Sequence, residues 1–215
     1  MIARIKNFTP LSAPLRLCAK YFSTPRAAND YATHLPVLIG LSRMRQIKNV
    51  LEFGCGYYST LTFLNRAVFP RLERLRSIEN DESWSERVAE LAKRDTRWTM
   101  DMIDGDIAAS ISSLDLEAFD LILIDDSKTS AERAATIRTV ANRQPQHPWM
   151  VIHDFEVEEY RNAARGFQQR HSFRAYNPHT GLASNTPIEF ATLDRLLKQN
   201  KHLSPDDVAA WTRIL

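Results

Sequence analysis

A chain of 215 residues is long enough for one domain with a full hydrophobic core. Apolar residues at 44% and charged residues at 25% are the mix of a soluble globular protein, and no apolar run reaches the length that spans a bilayer. A net charge of +2 is too small to argue for nucleic acid, and two distant cysteines, Cys18 and Cys55, form neither a disulfide framework nor a metal-ligand cluster, which suits a reducing, cytoplasmic setting.

The first 29 residues hold Arg4, Lys6, Arg16, Lys20 and Arg26 and no acid. Residues 1–32 therefore read as a basic arm that covers a site or touches a partner, with an organelle-targeting peptide as the alternative. From there two hydrophobic periodicities alternate, as in a parallel sheet with crossover helices. Thr33 to Arg45 is expected to be a helix, Asn49 to Phe53 the first strand, and Ser59 to Val68 the first crossover helix. Leu75 to Glu79 is a second strand. The next helix has Ser83 and Glu86 spaced as a capping box and Trp84, Val88, Leu91 and Ala92 on one face.

Trp98 to Ile103 is a third strand and Phe119 to Ile124 a fourth. Ser130 to Asn142 is a helix, Trp149 to His153 a fifth strand, and Val157, Tyr160, Ala164 and Phe167 mark a further helix. Ser172 to Tyr176 and Ile188 to Thr192 are expected as two edge strands, joined through turn signals at Asn177-Pro178 and Thr180-Gly181. Asp194 to Asn200 reads as helical, and Ser204-Pro205-Asp206-Asp207 starts a last helix. The domain proper spans residues 33–192, and residues 193–215 are helices packed on it.

Chemistry concentrates where strands end. Val50 to Thr60 runs from an apolar strand through Glu52, Gly54 and Gly56 into a helix, the order of a nucleotide-type cofactor site. Ser59 stands where the dinucleotide fingerprint has its third glycine. The carboxylate of Glu52 would repel a pyrophosphate but attract a donor carrying an ammonium and a sulfonium, so the turn reads as a site for S-adenosylmethionine rather than NAD. Glu79 lies 23 residues after Gly56, where an acid can accept from both ribose hydroxyls. Asp106 is placed to accept from an adenine amino group, with Ile107 against the ring; an Asx turn at Asp106 is the alternative. Asp125 and Asp154 complete a row of strand-end acids on the sheet edge where ligands bind. Cys55 inside the turn reads as a small buried filler, with a reactive thiol as the alternative.

These residues resemble a class I S-adenosylmethionine-dependent methyltransferase. The resemblance rests on Val50 to Gly56, Ser77-Ile78-Glu79-Asn80, Gly105-Asp106 and Phe119 to Asp125. It implies a Rossmann-like, doubly wound, mostly parallel seven-stranded sheet with a terminal antiparallel hairpin. It further implies that Glu52, Gly54 and Gly56, with Tyr58, Ser59 and Thr60, hold the methionine end. Glu79 and Asn80 would hold the ribose, and Asp106 and Ile107 the adenine. Ile124-Asp125-Asp126-Ser127-Lys128 is also similar to the I-D-x-x-K of metal-dependent small-molecule O-methyltransferases. That likeness makes Asp125 and Asp154 candidate ligands of a divalent metal and Lys128 the candidate base, although Phe155 stands where that branch carries an asparagine. His153 is a second candidate base, while strand alternation argues against both His153 and Asp154 reaching one site. His34 and His179 lie in segments that could fold over the cofactor.

The expected activity is methyl transfer to a nucleophile, oxygen first, of a small molecule, with Asp125, Lys128, His153 and Asp154 lining the acceptor pocket. Methylation of a macromolecule, a non-catalytic module of the same fold and an NAD-dependent oxidoreductase are the alternatives. The Asn-Pro-Pro-aromatic signature of amino-methylating enzymes is absent after the fourth strand, so no nucleic-acid partner is expected.

Overall fold

The structure is a computed structural model that describes residues 30–126, 129–174 and 176–199. The basic arm up to residue 29, Lys128 and the expected helix from Ser204 lie outside the described residues. Seven strands alternate with helices: α1 (Leu35–Met44), β1 (Asn49–Phe53), α2 (Ser59–Leu64), β2 (Arg74–Glu79), α3 (Glu82–Ala92), β3 (Trp98–Met102), α4 (Ile107–Ser110), β4 (Leu121–Ile124), α5 (Ser130–Asn142), β5 (Trp149–Ile152), α6 (Glu158–Ala163), β6 (Gln169–Phe173), β7 (Thr180–Ser184) and α7 (Phe190–Gln199). They form one sheet in the order β3-β2-β1-β4-β5-β7-β6. Strands β1 to β5 are parallel, and β7 runs antiparallel to both β5 and β6. This is the expected doubly wound sheet with its terminal hairpin. The order reverses between β1 and β4, which opens a crevice beyond their carboxyl ends.

Period-2 alternation divides the core between the two faces. Val50, Leu75, Leu121, Leu123 and Val151 pack on one face with α1, α2 and Leu193 of α7. Leu51, Phe53, Ile122, Ile124, Met150 and Ile152 pack on the other with α4, α5 and α6. Each such side chain, fully buried, contributes about 1.5–3 kcal/mol relative to exposure. The alternation also assigns the polar strand-end residues to faces. Glu52, Ser77, Asp125 and His153 follow their odd-numbered or even-numbered neighbours onto the α1 side.

Four local expectations are corrected. The hairpin strands are β6 and β7, not Ser172 to Tyr176 and Ile188 to Thr192. Thr180-Gly181 is strand rather than turn, because the Phe155 ring occupies the space of a Gly181 side chain, 2.4 Å from where its Cβ would be. Helix α7 starts at Phe190, within the second expected strand, because Leu193 is buried at helical spacing against α1. Finally, α3 is capped by Asp81, which accepts from the Trp84 N–H at 3.1 Å, and Ser83 only donates to that cap. No helix among the described residues is long and apolar enough to cross a membrane.

Candidate active site

The β1–α2 turn is built around Gly54, whose φ of +83° is costly for any residue with a side chain. Its N–H donates to the Ile78 carbonyl, and a Cβ here would lie 2.4 Å from the Asp125 carbonyl oxygen. The turn is thus wedged between the ends of β2 and β4. Beneath it lies Glu52, wholly buried, in register with Ser77. Its Oε2 accepts from Thr60 Oγ1 at 2.8 Å and from Ser77 Oγ at 2.5 Å. Burial pushes this carboxyl up to about 7, against the hydroxyls of Ser59, Ser77 and Thr60, which favour the ionised form. Thr60 Oγ1 also accepts from the Gly56 N–H, so the hydroxyl ties the turn to the acid below it. Tyr58 and Ser59 are buried, Tyr58 in the α1-side core.

Glu79, at the end of β2, receives three backbone N–H groups: Cys55 on Oε2 at 3.0 Å, and Asn80 and Asp81 on Oε1 at 2.8 and 2.9 Å. The acid is therefore locked against the glycine turn. Trp84 closes the same loop, its Nε1 donating to the Cys55 carbonyl and its ring edge-on to Tyr57. Burial pushes the Cys55 thiol up, so Cys55 is an inert filler. Asn80 Nδ2 donates to the Gly105 carbonyl and joins the β2 end to the β3 end. Asp106 is exposed and caps α4 by accepting from the Ala108 N–H, while Ile107 is buried in the α5-side core. His179 braces the loop after β5 through its backbone, its carbonyl accepting from the Phe155 N–H.

A second set of charges meets at the ends of β4 and β5. Ile124 pairs with Ile152, so the next residues, Asp125 and His153, stand side by side. His153 Nδ1 lies 3.3 Å from Asp125 Oδ1 and 3.2 Å from Asp154 Oδ1. The expectation from strand alternation fails here: His153 and Asp154 reach one site because Asp154 adopts φ +56°, which folds its carboxylate back. Arg133, from the first turns of α5, bridges both acids, with Nη2 3.0 Å from Asp125 Oδ1 and Nη1 2.7 Å from Asp154 Oδ2. His153 Nε2 lies 3.1 Å from Thr33 Oγ1, and the His34 ring meets His153 edge-on at 5.0 Å. Nitrogens of His34 and His153 and an oxygen of Asp125 lie within 4.8 Å of one another.

The charges dictate the protonation states. Burial disfavours a charged His153, yet Asp125 and Asp154 raise its imidazole to about 10. Burial likewise opposes ionisation of Asp125, but His153 and Arg133 hold its carboxyl well below the usual range. His34 is pressed down to about 3, by burial first and then by the charge of His153. His153 is therefore an imidazolium at neutral pH, a donor rather than a base, and His34 is neutral.

The stabilisation from protonated His153 is complete below about 6.5 and is lost as pH rises through about 10. Denaturant stability of the wild type is expected to fall over that alkaline range, and His153→Gln to lack that part of the fall. Identical slopes would place His153 outside the ion cluster.

Arg133, Thr33 and Ser77 are site residues that sequence reasoning missed. Arg133 had a signal: a cation near the positive end of a helix is unfavourable unless acids face it.

Residues 51–155 match a family model described as a methyltransferase domain. No curated protein matches the chain. Among solved structures, human methyltransferase-like protein 13 in complex with S-adenosylhomocysteine aligns at TM-score 0.55 and 16% identity, over 87% of this chain and 94% of that one. A Staphylococcus aureus protein assigned as a caffeoyl-CoA O-methyltransferase gives 0.53 and 14%, over 79% and 89%. The N-methyltransferase NodS from Bradyrhizobium japonicum WM9 with S-adenosylhomocysteine gives 0.50 and 15%, over 79% and 96%. At such identities the structural likeness speaks for the fold.

The family match gives residues 51–155 a methyltransferase domain, and the sheet order and strand-end turn give the chain the fold of the S-adenosylmethionine-dependent methyltransferases to which it is similar. The chain is thus an enzyme that carries a methyltransferase domain.

Proposed function

We propose that the chain transfers the methyl group of S-adenosylmethionine to an oxygen of a small molecule. The observation that carries this reading is the meeting, on one sheet edge, of an acid-lined glycine turn with the Asp125–His153–Asp154 cluster one strand away. The turn fits a cationic donor. Glu79 presents a carboxylate beside the turn, and the buried Glu52 anchors the turn from beneath through Thr60 and Ser77.

Bound S-adenosylmethionine supplies the electrophilic methyl. Glu79, held by the turn's own N–H groups, accepts from the ribose hydroxyls, and Asn80 fixes the neighbouring loop, on which the exposed Asp106 is the candidate partner of the adenine. His153 and Arg133 hold Asp125 and Asp154 in place, and these two partly exposed carboxylates orient the acceptor oxygen, so alignment rather than strong base chemistry is the main contribution. Lys128, outside the described residues, is the candidate proton acceptor.

Calorimetry with S-adenosylhomocysteine and with NAD is the direct test. S-adenosylhomocysteine is expected to bind and to raise the melting temperature. Binding of NAD alone would make the protein an oxidoreductase, and binding of neither would leave an interaction module. Labelled methyl transfer to fractionated extracts then tests the acceptor: label only in the protein fraction would overturn the small-molecule part.

A further inference from the structure

We propose that Arg133 is a built-in cation occupying the position between Asp125 and Asp154 that a divalent metal would take, so that the acceptor site works without a metal ion. The proposal rests on reading this cluster as the acceptor site. Three contacts hold the guanidinium: Nη2 on Asp125 Oδ1, Nη1 on Asp154 Oδ2, and Nε donating to the Asp126 carbonyl at 2.7 Å. Its plane is also backed by the Tyr160 ring, 5.4 Å away. A guanidinium fork gripped at three points and nearly buried is not a mobile surface charge.

Charge balance gives the reason. A divalent ion needs anionic oxygens directed at it and must shed water to reach them. Here the two carboxylates already face two cations, because His153 Nδ1 approaches the same pair at 3.3 and 3.2 Å. An incoming ion would meet a neutral quartet with Arg133 and His153 a few ångströms away. The following residue adds no oxygen ligand: Phe155 is buried against Gly181. The competing donor set of His34, Asp125 and His153 suffers the same defect, since its one carboxylate, Asp125, is already held by Arg133 at 3.0 Å. Removing the guanidinium leaves two half-buried acids facing the single charge of His153, an excess of negative charge that a hard cation requires.

The experiment titrates wild type, Arg133→Ala and Arg133→Gln with Mn2+, followed by the electron-spin resonance of the free ion, and with Zn2+ by calorimetry. Wild type is expected to take up neither ion. A folded Arg133 variant is expected to bind Mn2+ at least about tenfold more tightly than wild type, and Asp154→Asn added to that variant to abolish the gain. Stoichiometric binding of either ion by wild type overturns the proposal, as does a folded Arg133 variant that gains no Mn2+. Should neither variant fold, the wild-type titration alone decides. S-adenosylhomocysteine binding by the same wild-type sample tests the methyltransferase reading separately, because it does not depend on either ion.

Discussion

Gly54→Ala is expected to lower stability by about 2–5 kcal/mol and to abolish binding of S-adenosylhomocysteine. Two costs add. At φ +83° the new Cβ meets its own backbone, about 1–2 kcal/mol for a left-handed alanine. The Cβ would also lie 2.4 Å from the Asp125 carbonyl oxygen, 2.7 Å from its carbon and 2.8 Å from the Asp126 Cα. Those are backbone atoms at the end of a buried strand, so β1 and β4 must separate there, with an overpacking cost of about 1–3 kcal/mol. The displacement moves Asp125, and with it the Arg133 and His153 pairs. Gly56→Ala is the control: its Cβ would meet the Ser59 hydroxyl at 3.1 Å and the Tyr58 nitrogen at an ordinary 4.0 Å. Urea midpoints and calorimetry on both variants give the answer, and wild-type stability in Gly54→Ala would show that the turn is not wedged as described.

Glu79→Ala is expected to weaken S-adenosylhomocysteine binding by about a hundredfold or more while the fold survives. The carboxylate is 4% exposed and accepts from Cys55, Asn80 and Asp81 N–H groups. Its loss frees the glycine turn and leaves those donors to water or to nothing, at about 1–3 kcal/mol for each that stays buried. Under the proposed role it also removes the acceptor for two ribose hydroxyls, each charge-assisted bond contributing about 1.5–3 kcal/mol. Glu79→Gln is the milder variant, since its one amide oxygen can keep the Asn80 and Asp81 donors while its NH2 faces the Cys55 N–H and no charge remains. Unchanged affinity in Glu79→Ala would remove Glu79 from the cofactor site.

The sheet was legible because its strands carry the signal themselves. Runs such as Phe119 to Ile124 and Trp149 to Ile152 are buried on both faces and admit no other element of that length. The last strand was not. Thr180 to Ser184 has the small, polar composition of a loop, and it is a strand only because Phe155 fills the space over Gly181 and β5 and β6 pair on either side. The cap of α3 shows the same limit on a smaller scale. Sequence spacing offered Ser83 as the cap, and backbone geometry selects Asp81.

The site divides similarly. The spacing of Glu52, Gly54, Gly56 and Glu79 along one strand–turn–helix–strand unit is local, so it is written in residue order and names a cofactor turn. The protonation of His153, the folding back of Asp154 and the bridge from Arg133 depend on three elements meeting at the ends of β4 and β5. Residue order alone determined where the strands and their terminal acids would fall, because periodicity and turn chemistry act over a few neighbours. Only the tertiary structure decided which charges neutralise one another, because electrostatic energy depends on distance and burial between residues far apart along the chain.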